Sequence, residues 1–145
     1  MSAEIFKTLR EDHDKQRTLL DLVGKTKGDS EGRRELFARL KRELEEHAMA
    51  EEKSLYAAMM SADGGQEKAR HSVAEHKDID DIVEQLEEME MSNPRWLATF
   101  DRLKHKVLHH LEEEEHEIFQ AAGRVLDDER KESLNEVFVE AHPRM

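Results

Sequence analysis

Cysteine is absent from this chain of 145 residues. That absence excludes disulfide bonds, thiolate zinc sites, iron–sulfur clusters and cysteine nucleophiles together. Any metal ion that the protein binds must therefore be held by nitrogen and oxygen atoms.

Residues that make turns are scarce, with 2 prolines and 6 glycines, and only 5% of the residues are aromatic. This composition favours long helices over sheets with frequent turns. No stretch approaches the roughly 20 apolar residues of a membrane-spanning helix, and the first residues lack the apolar core of a signal peptide. We therefore expect a cytoplasmic protein, and the length favours one domain over residues 1–145.

Positive charge is also in short supply, because the formal net charge is -12 at pH 7. Nucleic-acid phosphates are held mainly by Lys and Arg, so this charge argues against a nucleic-acid partner. It argues equally against an anionic membrane surface.

Four long helical segments are predicted, since the residues that break helices are concentrated in four places. The predicted loops are residues 24–32, 61–66, 91–94 and the stretch around Gly123. Asn93 followed by Pro94 is typical of a helix start, and Asp127 could cap a short fifth helix over about residues 127–141. Within each long segment the apolar residues recur every three or four positions, which indicates amphipathic helices in a bundle.

Polar side chains interrupt the apolar stripes of the second and fourth segments. His47 and Glu51 fall inside one stripe, and His110 and Glu114 fall inside the other. A carboxylate is rarely buried without a partner or a metal ion, because losing its hydration costs on the order of several kcal/mol. The predicted burial of these two carboxylates therefore indicates that each has a partner or a metal ion in the core.

Histidines also lie on the apolar faces of the first and third segments, at His13 and His76. A shift of the chain by 63 residues superposes His13 on His76, His47 on His110 and Glu51 on Glu114. The repeat predicts a bundle of approximate two-fold symmetry in which the matching residues face a common centre.

These six inward residues are the predicted ligands of two metal ions. Histidine and glutamate four positions apart lie one turn apart on one helix face, so their nitrogen and oxygen atoms can converge. Two such pairs, with His13 and His76, would give each ion two histidines and two bridging glutamates and leave a position open. Iron, manganese or zinc suits such ligands. We predict two carboxylate-bridged iron ions, and the alternative is a core of hydrogen-bonded His and Glu without metal.

The other histidines are predicted to take no part in the site, because they point outward or lie near the chain end: His71, His105, His109, His116 and His142. Tyr56 is expected to pack against the core or the edge of the site. Asp12, Glu46 and Glu75 each precede a predicted ligand and are candidates for orienting a histidine, although adjacent residues point about 100° apart.

These motifs resemble those of the hemerythrin-like proteins, specifically the HHE cation-binding domain. The matching elements are REDHDKQ with His13, HAMAEE with His47 and Glu51, AEHKDID with His76, and HLEEEEHEIF with His110 and Glu114. The resemblance covers about residues 3–123, and the terminal helix is like the tail that many of these domains carry. It implies an all-α, up-down-up-down antiparallel four-helix bundle with a short extra C-terminal helix around a non-haem di-iron centre.

One departure from the oxygen-carrying members affects the predicted function. Those members have two histidines four apart on the third helix and a histidine followed five residues later by aspartate on the fourth. Here Ser72 and Asp80 flank His76 at that distance, and Glu114 comes four residues after His110. One nitrogen ligand is missing, so the chain looks more like the branch linked to iron sensing, nitric oxide or peroxide handling, and stress response.

The leading hypothesis is a di-iron protein, enzymatic or not, that binds or turns over oxygen, nitric oxide or peroxide. The first alternative is a metal-stabilised interaction or sensor module without catalysis. A ferritin-like oxidase or storage protein is less favoured, because its Glu-x-x-His pairs have one counterpart here, Glu113 to His116, and it faces outward. The chain could act as a monomer or a homodimer.

Overall fold

A computed structural model describes residues 4–143 of the chain. Its helices are α1 Glu4–Gly24, α2 Glu31–Glu51, α3 Ala57–Ser61, α4 Gln66–Glu88, α5 Arg95–Glu113, α6 Phe119–Val125 and α7 Asp128–Ala141. A π-helical turn at Glu52–Tyr56 joins α2 to α3, and a second at Glu114–Ile118 joins α5 to α6. Between residues 4 and 143 there is no strand, so the predicted all-α class is confirmed. The predicted start of the bundle at residue 3 lies outside the described residues.

The bundle consists of four antiparallel rods: α1, α2 with α3, α4, and α5 with α6. The extra C-terminal helix, α7, packs against α1, α2 and the first π-helical turn. Within residues 4–143, no helix has both the length and the apolar character that a membrane crossing requires.

Side chains at the predicted helix starts satisfy backbone donors there. The Asp127 side chain accepts a hydrogen bond from the Arg130 backbone N–H at 2.7 Å, which caps α7. Asn93 Oδ1 accepts one from the Arg95 backbone N–H at 2.9 Å, and α5 begins at Arg95 rather than at Pro94.

The turn between α3 and α4 requires glycine at two successive positions. Gly64 has a φ of 90°, which L side chains rarely adopt. A Cβ atom on Gly65 would lie 2.7 Å from the Met59 carbonyl oxygen. The predicted loop over residues 61–66 therefore depends on the positive φ of Gly64 and on the short distance between Gly65 and the Met59 backbone.

The break predicted around Gly123 is wrong, because α6 continues through Gly123 to Val125. A glycine inside a helix costs only about 1 kcal/mol, and the adjacent Ala122 is fully buried in the core. Leu126, directly after α6, has an extended backbone that ends the helix, and its side chain is buried. Asp127 then caps α7.

The core consists of two apolar clusters separated along every bundle helix by buried polar residues. One cluster includes Ile5, Leu9, Leu55, Met59, Ile118, Phe119 and Phe138. The other includes Leu20, Leu40, Leu44, Ile79, Leu86, Phe100 and Leu103. The polar layer between them is where the stripes of the sequence have their gaps.

The buried Arg33 side chain packs at one end of the second cluster, against Trp96. It is 2% exposed and lies over the Trp96 ring at 4.6 Å from the ring centroid. It donates hydrogen bonds to the Met91 carbonyl at 2.9 Å, and to the Thr26 carbonyl and hydroxyl at 2.7 and 2.9 Å. One side chain thus ties two interhelical loops together.

Replacing Arg33 with methionine should therefore destabilise the fold. The change removes three hydrogen bonds and the cation–π contact, so we expect a loss of about 2–4 kcal/mol in the free energy of unfolding. Urea denaturation measures it. Arg34→Met is the matched control, because Arg34 forms an exposed pair with Asp29 worth at most about 1 kcal/mol. Equal losses in the two variants would contradict the assignment.

Candidate metal centre

Six buried side chains meet in the polar layer at the middle of the bundle. They are His13 on α1, His47 and Glu51 on α2, His76 on α4, His110 on α5 and Glu114 at the second π-helical turn. They form two groups that share both glutamates, and the ligand atoms within each group lie within 4.8 Å of one another. The structure therefore brings together all six residues predicted as ligands.

Each glutamate directs one oxygen to a histidine of its own rod and the other to a histidine of a different helix. The Nε2–Oε separations are 3.4 Å for His47–Glu51, 3.3 Å for His76–Glu51, 3.3 Å for His110–Glu114 and 2.8 Å for His13–Glu114. Neighbouring ligands of an octahedral ion, each about 2.1 Å from the metal, lie about 3.0 Å apart. The separations therefore suit atoms that share an ion.

Several of these atoms lack a hydrogen-bond partner among residues 4–143: Nε2 of His13 and His47, both carboxylate oxygens of Glu51, and Oε1 of Glu114. His13 Nε2 lies 2.8 Å from Glu114 Oε1, but the alignment does not make a hydrogen bond. Buried polar atoms are almost always paired. A cation among them would satisfy these atoms at once, so the residues fit a metal site.

A second set of carboxylates holds the other ring nitrogen of each histidine. The distances from Nδ1 are 2.6 Å for His13–Glu115, 3.0 Å for His47–Asp12, 2.7 Å for His76–Glu52 and 2.8 Å for His110–Glu75. A carboxylate that accepts from Nδ1–H fixes the ring and leaves Nε2 free for a metal. All four rings are therefore held with Nε2 directed to the centre.

Sequence reasoning found only part of this outer set. Asp12 and Glu75 do contact histidines, but on the neighbouring helix rather than next to them in the chain. Glu46 contacts no predicted ligand, and Glu52 and Glu115 were missed. The shift of 63 residues carries Asp12 onto Glu75 and Glu52 onto Glu115, so the repeat was the signal that could have found them.

Each π-helical turn begins at a buried glutamate or at the residue after it. The first follows Glu51 directly, and the second starts at Glu114. A π-helical turn widens the helix by one residue and is frequent at functional sites. Here it allows two successive carboxylates of one rod, such as Glu51 and Glu52, to contact the same His76 ring.

The carboxylates around the site favour the protonated form of its histidines when no metal is bound. Burial lowers the pKa of each ring, but the surrounding carboxylates outweigh burial and raise the pKa of His47 to about 10, that of His76 to about 9 and that of His110 to about 10. The pKa of His13 is raised as well, for the same reasons. At pH 7 the rings of His47, His76 and His110 are therefore protonated when no metal is bound, and their charge offsets that of the carboxylates around them.

Tyr56 lies at the edge of the site, as predicted, and is 1% exposed. Its hydroxyl donates a hydrogen bond to Glu114. Burial and the nearby Glu114 and Glu51 charges raise the pKa of Tyr56 well above its usual value, so the phenol keeps its proton.

His142 was not predicted as a ligand, and it lies outside the two groups that share Glu51 and Glu114, but it contacts a residue behind one of the predicted ligands. Its side chain is buried, and Nε2 lies 3.1 Å from a Glu43 oxygen and 3.2 Å from the Asp12 oxygen that also contacts His47. His142 thus belongs to the network behind a predicted ligand. The signal was its phase, because His142 follows the buried Phe138 by four residues.

The remaining four histidines are exposed, as predicted: His71, His105, His109 and His116. His71 pairs with Glu113 at 2.6 Å on the surface of the bundle. No interaction directs these rings to the centre within the described part of the chain.

A family model described as "Hemerythrin HHE cation binding domain" matches residues 4–122. The match covers α1 to α5 and the first residues of α6, and it ends before α7. No curated protein and no solved structure gives a significant match to the chain.

Metal uptake at pH 7 should release protons. The protonated rings of His47, His76 and His110 must each lose a proton before Nε2 can bind a cation, so we expect about three protons per chain from these residues. Zinc titration calorimetry in buffers of different ionisation enthalpy counts them. Affinity should rise as the pH rises towards 9–10. A binding heat independent of the buffer would show that the rings are already neutral.

The contribution of His142 to stability should depend on pH. Contacts with Asp12 and Glu43 raise its pKa from 6.5 to about 9. Its stabilisation is therefore complete below about pH 6.5 and is lost as the pH rises through 9. We expect His142→Ala to lose about 1–3 kcal/mol at pH 6 and clearly less at pH 9.5, measured by urea denaturation. The exposed His105→Ala is the control, and an equal penalty at both pH values would refute the prediction.

Proposed function

Because the chain belongs to the hemerythrin HHE cation-binding family, we propose that its polar layer holds two iron ions and that it binds or turns over a small oxygen or nitrogen species. That species is oxygen, nitric oxide or peroxide, in a redox, iron or stress response. The observation that carries the proposal is the pair of His/Glu groups that share two buried glutamates with unpaired oxygens.

The ligands divide evenly between the two ions. His13 and His47 would hold one ion and His76 and His110 the other, with Glu51 and Glu114 bridging them. When bound, a bridged pair of iron ions with an open position supplies electrons to, or takes them from, a small molecule. Zinc or manganese could occupy the same ligands.

The charge of the surrounding residues supports a pair of highly charged cations. The two bridging glutamates and the four carboxylates at the Nδ1 atoms bring six negative charges to the layer. Arg17 pairs with Glu115, Lys106 with Glu75 and His142 with Asp12, so the outer carboxylates are already partly compensated. The fully buried Glu51 and Glu114 have no such Lys or Arg partner in the described residues, so they are the charges that cations in the layer would offset.

A small cavity beside the site supports a small substrate. Its volume is about 20 Å³, and its walls include His47, His76 and His110. This space holds about one water-sized molecule. Any substrate that reaches the ions by this route has one or two heavy atoms.

The ferritin-like alternative gains no support from the structure. Its Glu-x-x-His pair, Glu113 and His116, does not face the centre, and His116 is exposed. The interaction-module alternative predicts the same metal content but no reaction with small molecules, so the experiment below separates it from our proposal.

The proposal is tested by comparing two adjacent histidines on α5. His110 faces the centre, whereas the His109 side chain is 67% exposed. We expect two iron ions per chain in the wild type and in His109→Ala, and at most one in His110→Ala, because that change removes one of two nitrogen ligands of an ion. Elemental analysis of protein purified from its own host measures the iron content.

The reduced, iron-loaded wild type and His109→Ala should also change their absorption on addition of nitric oxide, peroxide or oxygen. Full metal content without any spectral change would favour the interaction module. Equal iron loss in both variants, or protein isolated without metal, would overturn the proposed site.

A further inference from the structure

Gln16 is a buried amide without an explanation in the fold. It lies on α1, three residues after His13, and is 2% exposed. Its Nε2 has no hydrogen-bond partner among residues 4–143. Buried amides are almost always paired, so an unpaired one reduces stability unless something else binds to it.

The Gln16 side chain lines the cavity beside the proposed ions. The walls also include three of the ligand histidines and the apolar Leu44 and Ile79. The cavity spans all four rods of the bundle, and its volume of about 20 Å³ suits a molecule of one or two heavy atoms.

Few groups in these walls can donate a hydrogen bond to such a molecule. The ring Nδ1 atoms of the wall histidines are held by carboxylates, and their Nε2 atoms face Glu51 and Glu114. Asp80, on the exposed side of the cavity, is an acceptor when ionised. The unpaired amide of Gln16 is therefore the donor that the cavity offers.

Folding alone does not account for a glutamine here. The shift of 63 residues places Gln16 on Ile79, which lines the same cavity from α4. An apolar side chain fills that equivalent position without leaving a buried donor unpaired. The two-fold pattern is broken at the cavity wall, where one side is polar and the other is not.

We propose that Gln16 donates a hydrogen bond from Nε2 to the small molecule bound in this cavity, and so favours species that accept hydrogen bonds, such as peroxide or nitric oxide. This inference rests on the proposed function, because it assigns a binding residue to the same site. Gln16 stabilises the bound species, and the apolar walls limit its size.

The test uses Gln16→Met, which keeps the length of the side chain and removes the donor. Nitric oxide binding to the reduced, iron-loaded protein should weaken roughly tenfold, the size expected for one lost hydrogen bond. The N–O stretching frequency of the bound molecule should shift. Without metal or nitric oxide, the variant should melt at the wild-type temperature or higher, because a buried unpaired amide is gone. Its metal content should stay at the wild-type value.

Gln85→Met is the matched control, since Gln85 is exposed on α4 and the chemical change is the same. It should alter neither nitric oxide binding nor the stretching frequency. Equal affinity and an equal frequency in wild type and Gln16→Met would overturn this inference and leave the proposed function intact. A wild-type, iron-loaded protein that binds neither nitric oxide nor peroxide would overturn both.

Discussion

The burial of two carboxylates, Glu51 and Glu114, is the constraint on which the rest of this structure depends. Both are fully buried between apolar clusters, where an isolated carboxylate costs on the order of several kcal/mol. Four histidine rings direct Nε2 to these two carboxylates. Four further carboxylates contact the Nδ1 atoms of the same rings. The apolar stripes of the helices must be interrupted to admit this layer. The gaps in those stripes and the positions of the π-helical turns both follow from where the two glutamates lie.

The approximate two-fold symmetry extends beyond the ligands, but it is not complete. It relates the outer carboxylates as well as the inner six residues, so each proposed ion has the same kind of surroundings. The symmetry does not hold for the partners of Asp12 and Glu75. Asp12 contacts the buried His142, which follows α7. The corresponding Glu75 pairs with His71 and Lys106 at the surface of the bundle. The two ion positions therefore differ in burial and in the charge behind one ligand. Residues outside the family match contribute to that difference.

Helical phase predicted the inner site because it depends on one angle per residue, which is nearly constant in an α-helix. The same angle explains why the outward histidines were recognised as exposed. The outer carboxylates could not be assigned this way: Asp12 precedes His13 but contacts His47, and that choice depends on how α1 lies against α2. The π-helical turns change the local pitch and leave no mark in the periodicity. The roles of His142 and Gln16 depend on where α7 docks and on a cavity, and neither is a property of one helix.

Protons and metal ions are alternative partners of the same buried carboxylates. Before an ion binds, the raised pKa values of His47, His76 and His110 keep those rings charged, so Glu51 and Glu114 are compensated. The apolar clusters on either side contain no ligand and can pack whether protons or ions occupy the layer. The outer carboxylates hold the four Nδ1 atoms in this arrangement and leave each Nε2 directed to the centre. A ring can therefore exchange a proton on Nε2 for a cation without turning, because the contact that orients it lies on its other nitrogen.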